Sequence, residues 1–390
     1  MSTVQDPTLA PTGYRLRIPG PVPVPEVVRA ALARPVVAHR GPYGRAQIAR
    51  IQELIRPVFG THNPVLTLAS SGTGAMEAGL LNVIAPGDRV LVVVQGQFGD
   101  RYAAIAAALG AVVDKVEFPW GEAAQPDVIA ERLAAADYRA LVITHNESST
   151  GIENDLAAIG ALVRDRDTLV VVDSVSGLAG TAMRMDEWGL DVVVSASQKA
   201  LMCPPGMGLI GLSDRAIEAV KRDSGMPRFF FDLRRALAVI DDDQTPFTPP
   251  VSLNAGLCAA LELIHEEGLD HVFARHRKCN DALLAGCAAL GFEPFGQHAA
   301  RSRTVVALSV PGNLDGGQII KELMATHRTV VAGARNHLSG RMIRLGTMGQ
   351  IGLPDVMQDI LDIGATLARL GHARDVNAAL AAALQAYDNA

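Results

Sequence analysis

The chain has 390 residues, 49% apolar, 19% charged and 4% aromatic, with 35 Lys and Arg against 41 Asp and Glu for a net charge of -6. That length predicts more than one domain, and an acidic balance with so large an apolar share argues against both a nucleic-acid binder and a disordered chain. Segment 1–11 is polar with no basic stretch leading into an apolar core, no apolar run nears the ~20 residues of a membrane span, and Cys203, Cys258, Cys279 and Cys287 lack C-x-x-C spacing; a cytoplasmic protein with free thiols and no signal peptide is the expectation.

From residue 64 onward, short β-branched runs alternate with Ala/Leu-rich stretches of helical spacing. The runs 66–69, 89–94, 111–117, 140–144, 168–173, 191–195 and 207–212 read as strands, and 75–84, 101–109, 127–135 and 156–165 as helices. Strands that are apolar throughout are buried on both faces, which predicts a mostly parallel seven-stranded sheet flanked by helices. Residues 223–250 break this rhythm with Asp241-Asp242-Asp243 and a proline-dense stretch, too many prolines for continuous helix. A long irregular segment inside a compact chain points to function. One long helix is expected over 252–290. Strands at 304–310, 328–332 and 342–345, interleaved with helices at 316–326 and 354–370, then predict a smaller α+β domain. The expected division is an N-terminal arm 1–20, a large domain 21–265 and a small domain 266–390.

Three features carry chemistry. Ser70-Ser71-Gly72-Thr73-Gly74 lies between a strand and a helix, where glycines admit a ligand and the helix N-terminus presents free N–H groups to an anion. Asp173 ends a buried strand, at the sheet edge where ligands of open α/β folds bind. Lys199 leaves another strand end into a turn rich in Ser, Gly and Pro; partial burial lowers an amine's pKa and frees it for Schiff-base chemistry. Taken singly, each has an ordinary reading: a glycine turn, a helix cap, a surface lysine. Taken together, on one sheet edge, they supply what pyridoxal phosphate needs: an anion site, an acidic partner for its ring nitrogen and an amine for its aldehyde.

The residues here resemble the class V aminotransferases of PLP fold type I, most closely the alanine–glyoxylate and serine–glyoxylate branch. The resemblance rests on PGP at 19–21, SGTG at 71–74, THNESSTG at 144–151, VDSVS at 172–176, MDEWG at 185–189, SQKAL at 197–201, TPPV at 248–251 and IRLG at 343–346. It implies that Lys199 holds pyridoxal phosphate as a Schiff base and Asp173 bonds the pyridine nitrogen. It further implies that Thr73, Gly74, the Ala75 backbone and Gln198 cradle the phosphate, and that Thr248 reaches the phosphate of a neighbouring subunit in a homodimer with a shared site. Ser148 is placed near the ring hydroxyl, Val175 on one ring face and Phe98 on the other, where an aromatic residue stacks. Arg344 matches an arginine that clamps the substrate α-carboxylate bidentately, and Gly20 lines the substrate end. Ala75 and Thr245 depart from residues some relatives carry, a histidine and a tyrosine respectively.

The function this implies is amino transfer from a small L-amino acid, serine or alanine favoured, to glyoxylate. Aspartate or another donor and a PLP-dependent lyase or aldolase are the alternatives on the same scaffold. A cysteine desulfurase would need a nucleophilic cysteine within 291–345, which has none. A nucleotide-binding oxidoreductase would leave Lys199 without a role, and its glycine fingerprint is incomplete. His145 is expected as a packed loop residue or a neighbour of the cofactor. His265, His271 and His276 share no metal spacing and are expected on a solvated helix face.

Overall fold

The computed structural model describes residues 13–222, 224–312 and 314–390, so the polar segment 1–11 lies outside the described residues. The seven apolar runs form one sheet: β1 Val65–Ala69, β2 Arg89–Val94, β3 Val112–Glu117, β4 Ala140–Thr144, β5 Leu169–Asp173, β6 Val192–Ala196 and β7 Met207–Leu212, each within a residue of its expected bounds. They lie in the order β1-β7-β6-β5-β4-β2-β3. The pairings among β2 to β6 are parallel, whereas β7 runs antiparallel to both β1 and β6.

Every residue of β4 to β7 is buried. The two-residue period of a strand divides them between two cores: Val170 and Val172 pack on one face, Val171 on the other. Each such valine stabilises the fold by about 1.5–3 kcal/mol relative to exposure. Double-sided burial is what makes a strand end at the sheet edge a rigid mounting point.

The C-terminal layer has a four-stranded antiparallel sheet of β8 Glu293–Pro294, β9 Val305–Ser309, β10 Ala332–Gly333 and β11 Met342–Gly346, in the order β8-β9-β11-β10. Its own core joins Val306, Leu308, Ile343 and Leu345 to Leu283, Ile360 and Ala379 of the surrounding helices. The single helix expected over 252–290 is two, Val251–Glu267 and Leu269–Ala289, because Gly268 turns the chain with φ +86°. The proline-dense segment contains one short helix, Leu233–Leu237, and a 3-10 turn, Ile240–Asp242. None of the described helices is long and apolar enough to cross a membrane.

His276 departs from the solvated face expected for it. It is fully buried on the inner side of helix Leu269–Ala289, with Nδ1 and Nε2 each 3.0 Å from a backbone carbonyl, of Gly180 and Gly349 respectively. Burial pushes its pKa down to about 4. His271 is exposed as expected, and half-buried His265 lies 2.7 Å from the Leu54 carbonyl.

The N-terminal arm is stitched to the C-terminal layer. Arg15–Leu16 pairs in parallel with Thr329–Val330, and Gly346 N donates to Arg17 O at 2.8 Å. Arg17 holds Asp359 through Nε and Nη2, while Arg15 bonds Asp359 and Asp362. From there the arm passes directly to the edge of the large sheet.

Candidate active site

A cleft of about 210 Å³ opens at that edge, among the carboxyl ends of β1, β5 and β6. Its walls include Ser71, Gly72, Thr73, Phe98, Ser148, Asp173, Val175, Gln198, Lys199 and Gly20. Asp173 is the last residue of β5, and Lys199 follows β6 by three positions, so both are carried by strands held from two sides.

Asp173 Oδ1 accepts from Val175 N at 2.9 Å, and burial pushes the carboxyl up to about 6, with nearby Glu147 adding to the rise. Lys199 donates from Nζ to the Pro19 carbonyl at 2.5 Å, and burial brings its amine down to about 8 against the pull of Asp173. The arm approaches so closely that a Cβ at Gly20 would sit 2.4 Å from Lys199 Cδ; its φ of +122° likewise suits glycine.

At the phosphate loop, helix Gly72–Leu81 begins at Ser71, whose hydroxyl accepts from Gly74 N at 3.2 Å, while Ala75 N bonds Ser71 O. Those two expected contacts, Gly74 and Ala75, are therefore engaged within the turn, and Ala75 is fully buried. Ser71, Gly72 and Thr73 form the wall instead. Phe98 stands on this wall with the Arg101 guanidinium 4.7 Å from its ring centroid, and Arg101 donates to Thr73 Oγ1 at 3.2 Å.

Arg344, in β11, lies behind the wall. It donates to the carbonyls of Ser148 and Gly333, each at 2.6 Å, and its Nε is buried without a partner. Thr248 lies away from the cleft, exposed on the proline-dense segment. Buried His145 sits with Nδ1 2.9 Å from Ser174 Oγ and is absent from the cleft wall. Arg101 and Asn146 line the cleft unforeseen. Arg101 follows Phe98 by three positions, the spacing that puts two residues on one helix face. Asn146 lies inside the quoted 144–151 motif.

These residues fit pyridoxal phosphate. The helix N-terminus and Thr73 meet an anion, and Gln198 Oε1 and Asn146 Oδ1 are buried polar atoms without protein partners on the cleft wall. Asp173 is a buried carboxylate that a protonated ring nitrogen would keep ionised. Fold and cleft together define a PLP-dependent enzyme of fold type I.

The family model described as "Aminotransferase class-V" matches residues 29–343, and the chain belongs to that family of PLP-dependent transaminases. It is 35% identical to the soluble hydrogenase 42 kDa subunit of Anabaena cylindrica over 96% of this chain and 98% of that one. It is 33% identical to the serine–glyoxylate aminotransferase of Arabidopsis thaliana, over 96% and 95%. Among solved structures, the ureidoglycine–glyoxylate aminotransferase of Bacillus subtilis superposes with a TM-score of 0.92 at 30% identity, covering 98% of this chain and 100% of that one.

Proposed function

We propose that the protein moves an amino group from a small L-amino acid, serine or alanine favoured, to glyoxylate, giving glycine and the donor's oxo acid. The observation that carries this is the buried Lys199 amine facing the same cleft as buried Asp173, with the Arg344 guanidinium directly behind Ser148. Glyoxylate as acceptor is supported by the two aminotransferase relatives, whose names pair it with different donors.

The bound cofactor supplies an electron sink for the carbanion left when a Cα proton departs. Lys199 would hold it through its amine, and the same amine is placed to carry that proton as base and then acid. Asp173 keeps the ring nitrogen protonated. Thr73 and Gln198 take the phosphate at the head of the helix whose first turn Gly74 and the Ala75 backbone close, with Thr248 contributed by a second copy of the chain in a homodimer. Ser148 orients the ring hydroxyl, and Val175 and Phe98 hold the two ring faces. Arg344 clamps the α-carboxylate beside Gly20. A cytoplasmic setting agrees with four unpaired thiols.

The test offers the cofactor-loaded protein one amino acid at a time and quantifies the oxo acid released in a single half-reaction. Glyoxylate, pyruvate or 2-oxoglutarate is then added, and the new amino acid is measured. Stoichiometric oxo acid from serine or alanine and glycine from glyoxylate are expected. Cleavage products of the donor would replace this reading with a lyase, and a strong preference for aspartate would move the donor assignment.

A further inference from the structure

Helix Gln97–Ala108 carries Phe98 and Arg101 to the cleft, yet Gly96 before it has no side chain to cap its leading amides. They are capped from another element. Gln97 N donates to Ser149 Oγ at 2.9 Å, and Phe98 N and Gly99 N donate to Glu147 Oε2 at 2.9 and 3.2 Å. The other oxygen of Glu147 accepts from Ser149 N at 3.1 Å and from Ser149 Oγ at 2.5 Å. Glu147 is fully buried. A carboxylate in that setting loses its hydration, and four donors with the positive end of a helix offset part of the loss, burial still leaving its pKa raised. The approach is so tight that a Cβ on Gly96 would sit 2.5 Å from Glu147 Cγ and Cδ.

The same carboxylate therefore joins two parts of the site that are remote in sequence. On one side it holds the first turn of the helix bearing Phe98. On the other it sits next to Ser148, which lines the cleft and whose carbonyl receives Arg344. We propose that Glu147 is a positioning residue, a buried clip that fixes Phe98 over the cofactor ring and, through Ser148, the aim of Arg344. This rests on the roles given to Phe98 and Arg344 under Proposed function. Glu147 touches neither substrate nor cofactor; it sets where the touching groups stand.

Full-length wild-type and variant proteins are titrated with pyridoxal phosphate and followed by absorbance and by circular dichroism of the bound cofactor. Glu147→Ala strands two buried helix amides, so cofactor binding is expected to weaken at least about tenfold. The cofactor dichroism should shrink, and KM for the amino donor should rise more than kcat falls. Glu147→Gln, whose amide oxygen still accepts from Phe98 and Gly99, is expected to recover most of the affinity. Affinity within twofold of wild type and unchanged dichroism in Glu147→Ala overturn the proposal.

A double variant locates the effect. Glu147→Ala combined with Phe98→Leu should bind no more than about threefold more weakly than Phe98→Leu alone, because both remove the same contact. Penalties that multiply in full would show that Glu147 acts independently of Phe98. If Glu147→Ala does not fold, Ser149→Ala carries the test: about threefold weaker binding at an unchanged thermal midpoint is expected, and wild-type affinity overturns the proposal. Absence of cofactor capture by the wild-type protein itself would instead fell the assignment of Lys199.

Discussion

The two halves of the site are built differently. Asp173 and Lys199 hang from β5 and β6, strands buried on both faces inside the largest cores of the molecule. Arg344 comes from the thinner antiparallel layer and is aimed by two backbone carbonyls, Ser148 O on a turn and Gly333 O on the neighbouring strand β10. Proton transfer requires a fixed amine, and strand ends provide one. In the role proposed for it, the Arg344 clamp depends instead on two backbone carbonyls, one of them remote in sequence, for its aim.

The largest expected effect lies on the strand-end side. Lys199→Ala should lower kcat by about a thousandfold or more, since covalent capture and proton transfer are lost together. Steady-state assay with borohydride trapping of the cofactor in wild type and variant checks it. A modest loss would break the contrast, because the amine would then not be the fixed centre.

On the clamp side, Arg344→Ala should raise KM for both amino and oxo acid about a hundredfold and leave cofactor loading unchanged, as expected when one partner of a buried charge pair is removed. Measuring KM and cofactor content together separates the halves. A fall in cofactor content with KM intact would show that the division between them is wrong.

The smallest effect sharpens the comparison through pH. Only the neutral Lys199 amine attacks an aldehyde, and burial has brought its pKa to about 8. Capture of pyridoxal phosphate by cofactor-free protein should therefore rise about tenfold per pH unit below about 8 and level off above it. Arg344 is among the cations that depress this amine, so Arg344→Ala should move the midpoint upward. Stopped-flow absorbance across pH 6 to 9 reads both the slope and the displacement.

The seven main strands were legible because burial on both faces leaves unbroken apolar runs, and the strand-end positions of Asp173 and Lys199 followed from them. Two-residue strands such as Ala332–Gly333 carry no periodicity to read. The break at Gly268 hid among good helix formers. Absence of metal spacing among the three histidines says nothing of which face each takes, and the buried neighbours Val272 and Cys279 turn His276 inward. Glu147 lies inside the 144–151 motif, yet its capping of Phe98 and Gly99 spans 49 and 48 positions of sequence, beyond any local pattern. The carbonyl partner of Arg344 at Ser148 lies 196 positions away.

The N-terminal arm gives the site a gauge of length. Arg17 is fastened to β11 at Gly346, two residues from Arg344, and Pro19 two residues later meets the Lys199 amine. The carboxylate and amino group of every α-amino acid are separated by a single carbon, whatever the side chain. On the roles proposed for Arg344 and Lys199, this short stretch of arm, rooted in the buried Arg17–Asp359 pair, ties the strand of the clamp to the amine, so one piece of backbone registers both ends of the amino acid.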